Sequence, residues 1–509
     1  MSNFSAGIGM WVMRAKRQSG CGRWTTELVQ ANVLAGAENT RQRDLPDVLG
    51  WKDFSDHPRA TRDSLARRVA EDQVPGPAAS FPLPKPGKGE LRRMAHLHPL
   101  DELQMRLLVD RLLATRPHRF QRHSFGARLS VAPPGWVIEP SKHAWESLRW
   151  EASRLIASGR YATMIKCDVR SCYPSITADV VEQALAGSGY CPRDIAPIVR
   201  LLRELPLVGA PKGLPIGPEA SAVIADLVLD AVDQAFAESE FAHLRYSDDS
   251  FIFVPNGACP DVAYETYRQA LLAIGLQPNA EKRSEHPVED GSAWSVVQDP
   301  TVSTLLRGGF RDCDAGTLVS TLDAEIETEQ PNWNAVSFCL GSLRYRRSPL
   351  ALPRIYGQPE IALNIPRQVG SYLCELSHDV DPDWLINQAT TARGDTGLAT
   401  QLHMCRVASR VKLGEVNGHR LEEVATASPD HEAQRAPVRA FAAQAWTHSD
   451  AYRPKRAEEI ALHLGHYDTR RALINAIAST GQSSRRIRSF RQKMWSADSD
   501  LEPALEGLR

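Results

Sequence analysis

The 509-residue chain has no charge imbalance, with 60 Lys and Arg against 61 Asp and Glu and a formal net charge of −1. A uniformly basic or acidic surface is thereby excluded, and any nucleic-acid surface must be a local patch. No stretch of ~18 apolar residues exists, the length that spans a bilayer, so no membrane partner is expected. The opening residues MSNFSAGIGMWVM form too short and broken an apolar run for a secretory leader. Cysteine is sparse: the nine are odd in number and scattered, without a Cys-x-x-Cys pair. That argues against a disulfide framework or a zinc knuckle, and it points to a reducing cytoplasm. The histidines are dispersed and suggest no metal cluster, and no Ser-His-Asp motif is present.

What is present is an ordinary globular composition, 42% hydrophobic and 24% charged, with room for two to four domains at ~100–200 residues each. Residues 1–80 are polar, rich in Arg and Trp, and expected to be a helical extension ending at the break Pro75-Gly76-Pro77. Over 81–310, helical patterns alternate with short apolar strands such as YATMIKCDV and DDSFIFVP, an α+β texture. Beyond 320 the strand signals fade. Val438, Phe441, Ala442, Ala445 and Trp446 recur on one helical face, and Ala457, Ile460, Ala461 and Leu464 repeat the pattern after Pro454. Asp468 is placed to cap the helix TRRALINAIA. Residues 320–509 therefore read as an all-α domain, either a stacked array of HEAT-like repeats or a plain bundle, since no strict period is found.

Two segments carry chemistry. In the first, an apolar strand ends at Lys166-Cys167-Asp168-Val169, followed by Arg170-Ser171-Cys172-Tyr173-Pro174. In the second, Tyr246-Ser247-Asp248-Asp249 sits at the centre of an apolar hairpin pattern. A lone Asp-Asp is ordinarily an exposed turn. Acidic residues buried between apolar strands are costly unless a cation compensates them. Mg²⁺ prefers carboxylate oxygen and keeps sites for phosphates, and two such ions ~3.5–4 Å apart can activate a 3′-hydroxyl and stabilise leaving pyrophosphate.

In this order the segments resemble the motifs of reverse transcriptases. LPKPGKGELRR (83–93) and Ser124-Phe125-Gly126-Ala127-Arg128 resemble the two finger motifs, and Asp168 to Tyr173 resembles motif A. Gly213-Leu214-Pro215-Ile216-Gly217-Pro218 with Ser221 resembles motif B, Tyr246 to Asp249 the Tyr-x-Asp-Asp box, and Gly275-Leu276-Gln277-Pro278-Asn279 with Lys282 motif D. The match covers roughly 80–290. Ile216 stands where retroviral and group II intron enzymes usually carry Gln. Together with the long helical C-terminal region, that form is similar to the bacterial abortive-infection and defence-associated enzymes.

The resemblance implies a right-hand polymerase of fingers and palm followed by the all-α domain. It implies Mg²⁺, with Mn²⁺ as a substitute, held by Asp168, Val169, Asp248 and Asp249, and Lys282 as proton donor to the leaving pyrophosphate. Lys85, Lys88, Arg92 and Arg93 would close over the incoming triphosphate, with Arg128, Gly213, Pro215 and Gly217 completing the substrate surface and Tyr173 excluding a 2′-hydroxyl. Between 81 and 130 there are ten Lys and Arg against four Asp and Glu, which fits a phosphate-facing surface. The partners implied are dNTPs and nucleic acid (RNA template, DNA product, or both), with self-association left open. Priming by nucleic acid or by protein, with or without a template, is likewise open. Two rival readings are a non-catalytic RNA-binding scaffold and an RNA-templated RNA polymerase. RRIRSFRQKMW (485–495) is read as an amphipathic helix with a basic face in preference to a nucleic-acid track.

Overall fold

The computed structural model describes residues 24–71, 73–76, 78–115, 124–205, 207–208, 213–289, 291–306, 313–391, 394–427, 432–464, 466–479 and 485–508. The opening 23 residues, and Arg116, Arg119 and Arg122 of the basic segment, lie outside that set. The strands in chain order are β1 (Ala78–Pro84), β2 (Leu91–His96), β3 (Leu129–Val131), β4 (Val137–Ile138), β5 (Tyr161–Cys167), β6 (Leu207–Val208), β7 (Ala242–Tyr246), β8 (Asp249–Pro255) and β9 (Ser284–Pro287). All other named elements are helical, so the chain is mostly helix with small sheets.

The sheet that matters most has the order β7-β8-β5-β9, with every neighbouring pair antiparallel. Helices precede β7 and the helix Pro260–Ala273 precedes β9, so β5, β7, β8 and β9 form a split β-α-β-β-α-β unit. Period-two alternation sorts the side chains. Ile165, Cys167, Ile252 and Val254 share a core with Val228 and Val232 of helix Glu219–Ala237 and Leu271 of helix Pro260–Ala273. Met164, Leu244, Phe251 and Phe253 share the opposite core with Leu148, Ala152 and Leu155 of helix Ser141–Ala157. With both faces covered, the sheet fixes where its strand ends point.

A second sheet, β2-β1-β6, pairs β1 with β2 in an antiparallel hairpin. Its turn is closed by Lys85 N–H to Glu90 C=O (2.8 Å) and Lys88 N–H to Lys85 C=O (3.1 Å).

Past residue 313 the described elements are all helical. Helices Pro366–Glu375, Gly394–Ala408, Glu432–Thr447 and Tyr467–Ser479 pack one on the next in a row, with Pro382–Thr391, Glu415–Thr426 and Pro454–His463 beside them. Two helices of the first row lie against β1, and one apolar core runs from Leu45 and Phe81 through Trp446 to Leu508.

Asp468 does not cap its helix. It lies within the first turn, buried, and accepts from Arg471 (3.0 Å) while paired with His96 (2.8 Å). These two side-chain partners, one of them the Arg471 guanidinium, outcompete the free N–H groups of the helix start. Helix Arg485–Ala497 turns Ile487, Phe490 and Met494 inward, and Arg491 pairs with Glu506. Among the described residues no helix is long and apolar enough to cross a membrane.

Candidate active site

Strands β5 and β8 pair Cys167 with Ser250, so Asp168, just past one strand end, and Asp249, just before that pair, lie side by side. β7 and β8 pair Tyr246 with Asp249, leaving Ser247 and Asp248 as a two-residue turn. Such turns need positive φ, and Ser247 supplies it at +56°. Three acidic side chains thus meet at the ends of the two central strands. Asp168 is 4% exposed. Burial, the charge of Asp168 and the neighbouring Asp249 raise the Asp248 carboxyl to about 6, and burial also raises Asp249.

Lysines answer this excess. Lys282 bonds to Asp168, which raises the lysine above its usual range, and Lys166 stands 4.0 Å from Asp249. The loop that carries Lys282 is tied to the strand end by main-chain bonds, Arg170 N–H to Gln277 C=O (2.9 Å) and Asn279 N–H to Asp168 C=O (2.8 Å), around a bridge of Val169 with Pro278. Val169 can offer a metal only its main-chain carbonyl.

Tyr173 packs partly buried on the helical core; burial pushes its phenol above the ordinary range. Its carbonyl accepts from Leu214 N–H (2.9 Å). A Cβ at Gly213 would lie 2.4 Å from the Pro174 carbonyl oxygen, so only glycine allows this approach. The same loop reaches β2 through Ala95 N–H to Ile216 C=O (2.8 Å), and Gly217 at φ +128° sits over Met94, with Pro215 buried between. Ile216, the departure noted in the sequence, packs at the margin of the large helical core.

The remaining expected residues divide. Arg128 stacks on Phe125 (3.7 Å), and a Cβ at the intervening Gly126 would meet the Ser247 nitrogen at 2.3 Å, so this loop presses on the aspartate turn. Lys85 pairs with Glu90 (2.7 Å), Lys88 and Arg92 are exposed, and Arg93 pairs with Asp395 of the C-terminal helices (2.8 Å). Lys282 adds to Lys85 and Lys88 in lowering the Glu90 carboxyl, so the hairpin turn and Lys282 face a common space. At its tip Gly87 N–H bonds Asn364 (3.1 Å) and touches Trp333. The four cations are thus on the hairpin, and none is in contact with the carboxylates.

One contributor had no motif to announce it. Arg245 of β7, 1% exposed, pairs with Asp226 (2.9 Å) and with Asp233 (2.5 Å) of helix Glu219–Ala237 and donates to the Ser247 carbonyl (3.0 Å). Burial would raise the Asp233 carboxyl, but Arg245 and His243 hold it below its usual range. The aspartate turn therefore rests on a buried ionic post.

No three Asp, Glu, His or Cys side chains among the described residues form a ready-made cation cage. Mg²⁺ does not require one: it is commonly held by one or two carboxylates together with water and substrate phosphates. Crowded, partly protonatable carboxylates compensated only by lysines are a donor set suited to a hard divalent ion.

No family model matches the chain, and no curated protein matches it. Among solved structures it is similar to a telomerase from Candida tropicalis, solved in complex with a TWJ fragment of telomeric RNA, over 74% of this chain. The chain spans 66% of that protein's length, at 10% identity and a TM-score of 0.33, too slight a likeness to carry an assignment of fold or function.

Proposed function

We propose that the chain is a reverse-transcriptase-like DNA polymerase, adding deoxynucleotides to a hydroxyl with release of pyrophosphate. The observation that carries the reading is the convergence of Asp168, Asp248 and Asp249 at the ends of the two central strands, with Lys282 against Asp168. On this reading the split β-α-β-β-α-β unit is the palm, the β1–β2 hairpin belongs to the fingers, and the helical rows stand where a thumb would. Asp168, Asp248, Asp249 and the Val169 carbonyl would hold Mg²⁺, or Mn²⁺, which when bound supplies charge to activate the attacking hydroxyl and the leaving phosphates. Lys282 keeps its proton at neutral pH and is placed to give it to pyrophosphate. Purified protein incubated with labelled dNTPs or NTPs, with and without RNA template, tests the proposal. Incorporation of dNTPs supports it, NTP incorporation alone would favour an RNA polymerase, and none would favour a binding scaffold.

Tyr173, partly buried five residues past Asp168, supports deoxynucleotide choice. In the Tyr173→Ala protein, ribonucleotide use should rise about tenfold or more relative to deoxynucleotide use, since a steric gate discriminates by more than a lost methylene. An unchanged ratio in competition assays removes Tyr173 from that role.

The biological setting we propose is bacterial defence against phage, with protection dependent on synthesis. This rests on the sequence resemblance and on a helical region that is built as stacked rows, a form suited to holding a partner along one face. Cells carrying the intact gene should resist phage in plating assays, and cells carrying Asp248→Ala should not. Equal protection by both would return the scaffold reading.

A further inference from the structure

The C-terminal helices hold a cation that the packing does not explain. Arg406, near the end of helix Gly394–Ala408, is half-buried, and its Nη1 is shut from solvent without a hydrogen-bond partner. Burial, and the neighbouring Arg410, Arg367 and Arg344, hold its guanidinium below the ordinary range, with only the Cys374 thiol acting the other way. The carboxylate beside this group, Glu375, pairs with Arg347 instead (2.8 Å). Three arginines buried more deeply in the same chain are paired with carboxylates. Arg68 has Asp101 and Asp500, Arg245 has Asp226 and Asp233, and Arg471 has Asp47, Asp53 and Asp468.

The cluster is assembled from several elements. Arg344 ends helix Trp333–Tyr345, Arg367 opens helix Pro366–Glu375, and Arg410 follows Arg406 by one turn. Arg367 pairs with Asp44 (2.8 Å). Arg344 and Arg410 are exposed, and their side chains have no hydrogen-bond or ion-pair partner among the described residues. Gathering cations and leaving a shielded guanidinium nitrogen unpaired costs stability, so the arrangement makes sense when an anion arrives. Guanidinium forks match phosphate oxygens in pairs.

We infer that Arg344, Arg406 and Arg410, flanked by Arg367, form a phosphate-binding site on the C-terminal helices, separate from the carboxylates. The phosphate is a phosphodiester of a polynucleotide or that of a free nucleotide. The inference rests on the polymerase reading only for the source of the phosphate.

The test uses the full chain carrying Asp248→Ala, without metal or synthesis, so its outcome does not depend on catalysis. Fluorescence polarisation follows a labelled oligo(dT), with dATP and inorganic phosphate as competitors. The exposed pair Arg344→Ala/Arg410→Ala should weaken oligonucleotide binding about tenfold and lower the salt slope by about 1.4, near 0.7 per phosphate contact on a single strand. Arg406→Met should melt no lower than its parent in phosphate-free buffer yet lose the rise in melting temperature that phosphate gives the parent. Loss of the dATP or phosphate response alone would assign the site to free anions. Unchanged binding of all three probes in the double variant would overturn the site. Arg406→Met melting well below its parent without anion would overturn it too, by showing a structural role.

Discussion

The Asp248→Ala protein should incorporate dNTPs at least about 10³-fold more slowly than the parent, while folding normally. Asp248 stands on the two-residue turn, crowded against Asp168 and beside Asp249. Loss of one preorganised electrostatic group in an active site commonly costs ~10²–10³ in rate, and loss of a group that holds a metal as well costs more. Stability should move the other way. A carboxyl raised to about 6 in the folded protein contributes stability that is fully present below its unfolded value and lost as pH rises through 6. At pH 8 the apo parent therefore bears a buried charge that the variant lacks. Asp248→Ala, and more cleanly Asp248→Asn, should melt above the parent at pH 8, with the difference shrinking towards pH 4. Calorimetry across that range and dNTP incorporation on the same preparations check both halves. Undiminished incorporation by either variant would end the polymerase reading, and melting below the parent at pH 8 would deny the electrostatic crowding.

Much of this site is legible in the sequence because the signals are local. Period-two alternation in Tyr161–Cys167 and Asp249–Pro255 marks the strands, and an Asp-Asp pair between apolar runs marks the turn. Glycine at 213 is a local signal as well, although the carbonyls of Tyr173 and Pro174 that demand it are known only once the loop is placed. What the sequence hides is closure in space. Arg245 lies between Leu244 and Tyr246, where alternation alone would send it to solvent. Asp226 and Asp233 are seven residues apart on a helix, and in one dimension they look like a solvated face. Only the packing of that helix across β7 brings the three together. The same holds for the hairpin tip, whose contacts with Trp333 and Asn364 are more than 240 residues away in sequence and follow no period. Asp468 fails as a cap for a related reason: the side chains that claim it come from β2 and from its own next turn.

Arg245 should therefore be the most sensitive position outside the carboxylates. Arg245→Ala leaves Asp226 and Asp233 facing each other in a dry interior, and breaking a buried pair from one side costs about 3–5 kcal/mol. It also frees the Ser247 carbonyl that Arg245 holds at 3.0 Å, so the aspartate turn loses its post. Loss of stability and loss of synthesis are then entangled, and two further variants separate them. Arg245→Lys keeps the charge but not the fork that reaches two carboxylates and a carbonyl at once. It should retain most of the fold and lower kcat for dNTP incorporation with little change in KM, because the turn is displaced while the hairpin cations are untouched. Arg245→Met combined with Asp226→Leu and Asp233→Leu replaces the ionic post by apolar volume. A buried ion cluster exchanged whole for well-packed apolar groups is often neutral or stabilising, so this protein should recover melting temperature towards the parent. Its incorporation should remain low, since no donor replaces the one to Ser247. If the triple variant regains full activity with its stability, Arg245 serves the fold alone and the aspartate turn holds its shape without it.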